Sequence, residues 1–81
     1  MKLPRDLSAE ALIKALAIYG YSIDRQKGSH IRLTTLTNGQ HHITIPNHDP
    51  LKMGTLSAII NDIAQHLNKT KEEIVSDLFS K

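Results

Sequence analysis

The sequence predicts an α+β fold in which a three-stranded antiparallel sheet carries helices on one face. Two observations support this prediction. Apolar residues recur at helical spacing near both ends of the chain, and three short stretches of alternating apolar and polar residues lie between them. Short turn signals separate those stretches, which is typical of antiparallel hairpins. At 81 residues, the chain is expected to form one domain, residues 1–81.

The first helix is predicted to begin after Ser8, because serine is a common helix cap, and to end at Gly20. Its apolar face repeats through Ala9, Leu12, Ile13 and Leu16. A second helix is expected after Thr55 as its cap, since apolar residues keep the helical period for three turns from there. A short extra helix is predicted at the C-terminus, because Thr70 and Glu73 form a capping-box pattern.

The three strands are predicted over residues 21–26, 30–34 and 41–45, with Pro46 ending the third. The loop between the second and third strands tests their register, because a slip of one residue moves every side chain to the other face. A two-residue loop pairs Leu33 with Thr44, an apolar with a polar residue. A three-residue loop over residues 37–39, with Gly39 in the left-handed region, pairs Leu33 with Ile43 and is therefore preferred.

The same reasoning predicts a three-residue loop over residues 26–28, with Gly28 in the left-handed region. This register pairs Tyr21 with Leu33 and Ile23 with Ile31, and it places Asp24 opposite His30. The face away from the helices is then expected to carry the following polar side chains: Ser22, Asp24, His30, Arg32, Thr34, His42 and Thr44.

That polar face combines three kinds of group that suit RNA cleavage. A histidine can exchange a proton near neutral pH, a carboxylate can orient it, and an arginine can hold a phosphate. In such a reaction a base removes the 2′-hydroxyl proton and the oxygen attacks the neighbouring phosphorus. The composition permits this chemistry, because a formal net charge of +2 allows a polyanionic partner.

Neither a metal nor another cofactor is expected. The chain has no cysteine, which excludes thiolate zinc sites and disulfides. His41 and His42 are predicted to lie on opposite faces of one strand, so they cannot share an ion without distortion. The N-terminal stretch matches neither a signal peptide nor a membrane span, and we expect a cytoplasmic domain.

Several motifs together resemble the HicA family, the small toxins of HicA–HicB toxin–antitoxin systems. The resemblance runs from the first helix to the second through Gly20-Tyr21, Arg25, Lys27-Gly28-Ser29-His30, Ile45-Pro46-Asn47-His48, Gly54-Thr55-Leu56 and Ile59-Ile60. It implies a double-stranded-RNA-binding-domain-like α-β-β-β-α fold and ribosome-independent cleavage of mRNA. It also implies inhibition by a HicB-like antitoxin that covers the active face.

The histidine of the family's G-S-H motif is catalytic, and it matches His30 here. The P-x-H histidine matches His48, to which we assign no role. Candidate RNA contacts are Lys27, Ser29, Arg32 and Lys52, the last because it precedes the N-terminus of the second helix. Asp24 is a candidate orienting residue. The second proton donor stays open between His42, Lys27 and water.

Two other functions are compatible with the sequence. A non-catalytic RNA-binding module of the same fold would bind RNA without releasing products, and it would give the G-S-H histidine no purpose. A protein-interaction domain with no RNA role is favoured by the modest net charge and by the few aromatic residues available for base stacking.

Overall fold

A computed structural model describes residues 3–80 of the chain. In chain order the elements are helix α1 (Ala9–Leu16), a 3₁₀ turn (Ala17–Tyr19), strands β1 (Ser22–Lys27), β2 (His30–Thr35) and β3 (His41–Pro46), and helices α2 (Met53–Leu67) and α3 (Lys71–Phe79). The strands form one antiparallel sheet in the order β1-β2-β3. This arrangement confirms the predicted α+β fold class and its α-β-β-β-α order with an additional C-terminal helix.

The two helix caps at Ser8 and Thr70 are as predicted. The Ser8 hydroxyl accepts a hydrogen bond from the Ala11 amide at 3.1 Å. Thr70 and Glu73 form both bonds of a capping box. Gly20 follows the 3₁₀ turn with φ +83, where any Cβ would meet the hydroxyl oxygens of Thr37 and Thr35 at 2.9 and 3.0 Å.

The predicted start of α2 is wrong. The helix begins at Met53, three residues earlier than a cap at Thr55 would place it, and Lys52 occupies the cap position with an extended backbone. The Leu56 amide donates to the Lys52 carbonyl at 2.9 Å, so the first helical turn closes before Thr55 can act as a cap. The Lys52 side chain makes no capping hydrogen bond to this helix end.

The core lies between the sheet and the helices. Leu33 and Ile45 are fully buried from the sheet side, and Ile31 and Ile43 are nearly so. They face the largest fully buried side chains of the helices, which are Leu12, Leu16, Leu56, Ile60, Ile63 and Ile74. Within residues 3–80, no helix is both long and apolar enough to cross a membrane.

The register predicted for β2 and β3 is confirmed. Leu33 pairs with Ile43 and Ile31 pairs with Ile45. Asn38 and Gly39 both adopt positive φ in the connecting loop, at 58° and 95°. The apolar alternation on two strands that are both half buried was sufficient to fix this pairing.

The register predicted for β1 and β2 is wrong in two respects. The loop contains only Gly28 and Ser29, and Lys27 pairs with His30. Farther from the turn, an irregularity between Ile23 and Arg25 leaves Asp24 without a partner on β2, and Ile23 pairs with Leu33. Because the turn is one residue shorter than predicted, the residues between the turn and the bulge lie on the opposite face from the predicted one. The bulge at Asp24 adds one residue to β1, so Ile23 and Ser22 return to their predicted faces.

These two changes bring additional cations to the outer face of the sheet. Arg25 pairs with Arg32, and Lys27 pairs with His30, so both basic residues lie on the side away from the helices. Gln26 pairs with the buried Ile31 instead. A regular ladder without a bulge would instead place Arg25 on the helix side of the sheet and Gln26 on the outer face.

Candidate active site

His30 occupies the first position of the central strand. Its neighbours across the sheet are Lys27 on β1 and Pro46 on β3. Its side chain points away from the helices and is exposed. The backbone carbonyl of the preceding residue, Ser29, accepts a hydrogen bond from the backbone amide of Asn47 at 2.6 Å. This bond joins the turn to the segment after β3.

Gly28 provides the turn that places His30 at this position. It has φ +58 and precedes Ser29, which is the arrangement that a two-residue II′ turn requires. A Cβ at Gly28 would meet no heavy atom within 4 Å, so the glycine is required by backbone conformation and not by crowding. The exposed Lys27 and Ser29 flank it on either side.

The segment after β3 links this end of the sheet to both main helices. The His48 carbonyl accepts a hydrogen bond from the Ala9 amide at 3.0 Å, at the start of α1. The Leu51 amide donates to the Leu7 carbonyl at 2.7 Å. Both contacts use backbone atoms, and the His48 side chain is exposed. The segment then enters α2 at Lys52, whose side chain is exposed beside an uncapped helix N-terminus.

Asp24 does not lie opposite His30, as the sequence had predicted. Its carboxylate accepts a hydrogen bond from Nε of Arg32 at 2.8 Å and another from the hydroxyl of Thr34. Nδ1 of His42 lies 3.7 Å from the same carboxylate. The bulge at Asp24 explains this placement, because the residue has no partner of its own and reaches the middle of β2.

The hydrogen bonds around Thr34 indicate which ring nitrogen of His42 donates. The Thr34 hydroxyl donates its only proton to Asp24, so it must accept from Nδ1 of His42, which is 2.6 Å away. Nδ1 therefore carries a proton. The bonds from Thr34 and Arg32 also hold the pKa of the Asp24 carboxyl below its usual range.

The two histidines of the outer face are well separated. His42 pairs with Thr34, which is four residues along β2 from His30. At about 3.3 Å per residue, this corresponds to about 13 Å along the strand. Nδ1 holds the His42 ring over Thr34, so the ring does not turn towards His30. The site is therefore two groups: one around His30 and one around Asp24, Arg32, Thr34 and His42.

The comparison with family models identifies the family to which the chain belongs. A model of the family described as the HicA toxin of bacterial toxin–antitoxin systems matches residues 9–65, which is more than half of the chain. The chain belongs to the HicA toxin family. Searches of curated proteins and of solved structures gave no match. Membership of a toxin–antitoxin family implies an antitoxin as partner.

The matched region of this HicA chain contains the whole sheet and most of α2. It includes His30, His48 and the Asp24–Arg32–Thr34–His42 group, and it ends before α3 begins at Lys71. The catalytic role that the resemblance gives to His30 concerns the first of the two groups described above. No comparison assigns a role to the second group.

A third polar cluster lies on the helix side of the sheet and was missed by the sequence reasoning. The Tyr21 hydroxyl lies 2.7 Å from Nδ1 of His41, and Nε2 of His41 lies 3.2 Å from Asp62 on α2. A carboxylate accepts from Nε2, so in the neutral imidazole Nδ1 accepts from the Tyr21 hydroxyl. Burial, together with Asp62, raises the pKa of Tyr21 to about 12.

His66 completes this cluster and fastens the β2–β3 loop to α2. Its ring stacks on His41 with centroids 4.3 Å apart. Nε2 donates to the carbonyls of Thr37 and Gly39 at 2.9 and 3.1 Å. These contacts give His41 and His66 a structural role, which is to hold β3 and the β2–β3 loop against α2. Among the described residues, no group of three or more His, Cys, Asp or Glu side chains is placed to hold a metal ion.

Arg25 is the outer-face residue that the sequence did not identify as a candidate. Its position depends on the bulge, and no simple periodicity shows the bulge. The only sequence signal was a basic residue in the motif that carries the family resemblance.

Proposed function

We propose that this HicA chain is an endoribonuclease that cleaves mRNA without the ribosome, with His30 as its catalytic acid or base. The observation that carries the proposal is the position of His30. It is an exposed imidazole at the start of the central strand, beside Lys27 and on the same face as Arg25 and Arg32. The family resemblance gives the G-S-H histidine the same role.

The proposed reaction is transesterification within the RNA. His30 takes the proton of a 2′-hydroxyl, the oxygen attacks the adjacent phosphorus, and the bond to the 5′-oxygen of the next nucleotide breaks. The 5′-oxygen leaves with a proton. The products are a 2′,3′-cyclic phosphate and a 5′-hydroxyl end. A 2′-deoxy nucleotide at the cleavage position blocks this reaction, and an unchanged cleavage rate on that RNA excludes the mechanism.

The separation of the two histidines bears on the second proton. An acid and a base that act on one phosphodiester must both reach it within hydrogen-bond distance. His42 lies about 13 Å from His30 along the sheet and is bound to Thr34, which argues against it. Lys27 is directly opposite His30, at a Cβ separation of about 5 Å for such pairs. This favours Lys27 or water as the donor.

The RNA backbone is proposed to bind around His30. Lys27 and Ser29 flank the turn, and Lys52 stands at the uncapped N-terminus of α2, where backbone N–H groups favour an anion. Arg32, farther along β2, is proposed as an additional RNA contact. A HicB-like antitoxin is proposed to inhibit the toxin by covering the same face, and both are proposed to act in the cytoplasm, where mRNA is present.

The test is incubation of the purified protein with a defined RNA in excess chelator, beside the His30→Ala variant. Wild-type protein should release fragments with the ends named above, and His30→Ala should release far fewer. Gln65→Ala, which changes an exposed residue of α2, is the control and should cleave as the wild type does. Equal product from wild type and His30→Ala would contradict the role of His30. RNA binding without products would favour the non-catalytic RNA-binding module.

A further inference from the structure

We propose that Arg32 recognises the base edge of a guanine next to the cleavage position, and that Asp24 holds its guanidinium in place for this contact. The inference rests on the proposed RNA-cleaving function and adds a specificity determinant to it. Asp24 is a positioning residue in this account, because it acts through Arg32 and does not touch the RNA.

The contact between Asp24 and Arg32 leaves one part of the guanidinium available. The Asp24 carboxylate accepts a hydrogen bond from Nε of Arg32 at 2.8 Å. Within residues 3–80, Arg32 makes no other side-chain hydrogen bond, so its two terminal nitrogens are free to form a planar fork. The side chain is 39% exposed, which lets a ligand reach that fork from the solvent.

Two kinds of RNA group fit such a fork: a phosphate, and the edge of guanine that carries O6 and N7. The adjacent carboxylate distinguishes between them. Asp24 offsets the charge of Arg32, so this guanidinium attracts an anion less than an unpaired cation does, whereas the guanine edge is uncharged. A phosphate is better held around the turn, where Lys27 lies across from His30 and has no carboxylate hydrogen-bonded to it among the described residues.

The surroundings of Asp24 keep the guanidinium in one orientation. Asp24 lies in the bulge, and the Thr34 hydroxyl binds its second oxygen. Thr34 is in turn bound by Nδ1 of His42 at 2.6 Å. An arginine that is fixed in advance loses less conformational freedom on binding, and its fork discriminates better between base edges.

The position of Arg32 determines which nucleotide is recognised. Arg32 lies two residues from His30 on β2, about 7 Å along the strand. The recognised base therefore belongs to a nucleotide beside the cleaved bond. We expect a preference for guanine at one fixed position relative to the cut.

The test measures binding in the His30→Ala background, which prevents turnover. Fluorescence anisotropy compares a short single-stranded RNA that contains one guanine with the same RNA carrying adenine or 7-deazaguanine at that position. With Arg32 intact, either replacement should weaken binding by about 5-fold to 100-fold, the range of a good bidentate base contact. 7-Deazaguanine lacks only the N7 acceptor, so it isolates the proposed hydrogen bond.

Three variants in the same background separate the roles. Arg32→Lys keeps the charge without the fork and should bind all three RNAs about equally. Asp24→Ala should reduce the discrimination while keeping or raising the affinity for RNA without guanine. Lys69→Gln removes a cation beyond the far end of α2 and should keep the discrimination. Circular dichroism of each variant confirms that it is folded.

Several outcomes overturn the inference. Equal binding of the three RNAs when Arg32 is intact excludes base recognition, and so does full discrimination by Arg32→Lys. A loss that is uniform across all RNAs makes Arg32 a phosphate contact. The proposed cleavage is judged separately with wild-type protein. Discrimination without cleavage would contradict only the enzyme activity, and His30-dependent cleavage without discrimination would contradict only the present inference.

Discussion

Substitution by alanine is expected to have opposite effects on stability at Gly28 and at Gly54. A Cβ built on either glycine meets no heavy atom within 4 Å, so alanine causes no clash at either position. The two glycines differ in backbone conformation. Gly28 has φ +58 in the turn before His30, whereas Gly54 lies in the first turn of α2 without a positive φ.

The expected magnitudes follow from that difference. An L-residue in the left-handed region costs about 1–2 kcal/mol, and this applies to Gly28→Ala. Alanine in a helix is more stable than glycine by about 0.5–1 kcal/mol, and this applies to Gly54→Ala. For a domain of this size, 1 kcal/mol shifts Tm by about 4–8 °C. Gly28→Ala should therefore lower Tm, and Gly54→Ala should raise it.

Urea unfolding and thermal unfolding of the two variants in one buffer measure this difference. Gly28→Asn is a useful second variant, because asparagine tolerates the left-handed region and should lose less stability than alanine does. Gly28→Ala should also slow RNA cleavage, since the turn places His30. If Gly28→Ala is as stable as Gly54→Ala, the turn described here is wrong.

Three further predictions concern stability and RNA binding. The folded state keeps the proton of Tyr21 up to a pKa of about 12, above the ordinary 10.0, so the contribution of Tyr21 to stability should be full below pH 10 and be lost from there to pH 12. Tyr21→Phe should remove part of that fall in unfolding midpoints measured across the range, and an identical fall would contradict it. Lys27→Gln and Lys52→Gln should each reduce the salt dependence of RNA affinity by about one unit of log–log slope, whereas Lys69→Gln should not; equal slopes in all three would refute these contacts. Thr70→Ala should cost about 0.5–2 kcal/mol of unfolding free energy through the lost capping box, and cleavage per folded molecule should stay unchanged.

The sequence was most informative where periodicity and burial agree. β2 and β3 each have one buried face, so only one register puts Leu33 beside Ile43, and that register is observed. The caps at Ser8 and Thr70 were likewise readable, because each residue bonds to backbone only three positions away. Local signals of this kind need no knowledge of the tertiary structure.

The sequence was less informative where tertiary contacts override local pattern. β1 is an edge strand, and even Ile23 is 52% exposed, so burial does not fix its register. The bulge at Asp24 is stabilised by bonds to Arg32 and Thr34, which the sequence does not place together. His41 and His66 stack across a separation of 25 residues, and only the folded chain shows that pair. The exposure of β1 and the bulge account for the wrong position predicted for Asp24.

The decisive measurement for the catalytic role of His30 is the initial rate of RNA cleavage by wild type and by His30→Ala. Proton transfer by a placed side chain contributes about 10²–10⁴-fold to a rate. We expect a loss in this range for His30→Ala, with circular dichroism unchanged, because the His30 side chain is exposed and lies outside the hydrophobic core. A folded His30→Ala protein that cleaves the RNA within a few-fold of the wild-type rate would contradict it.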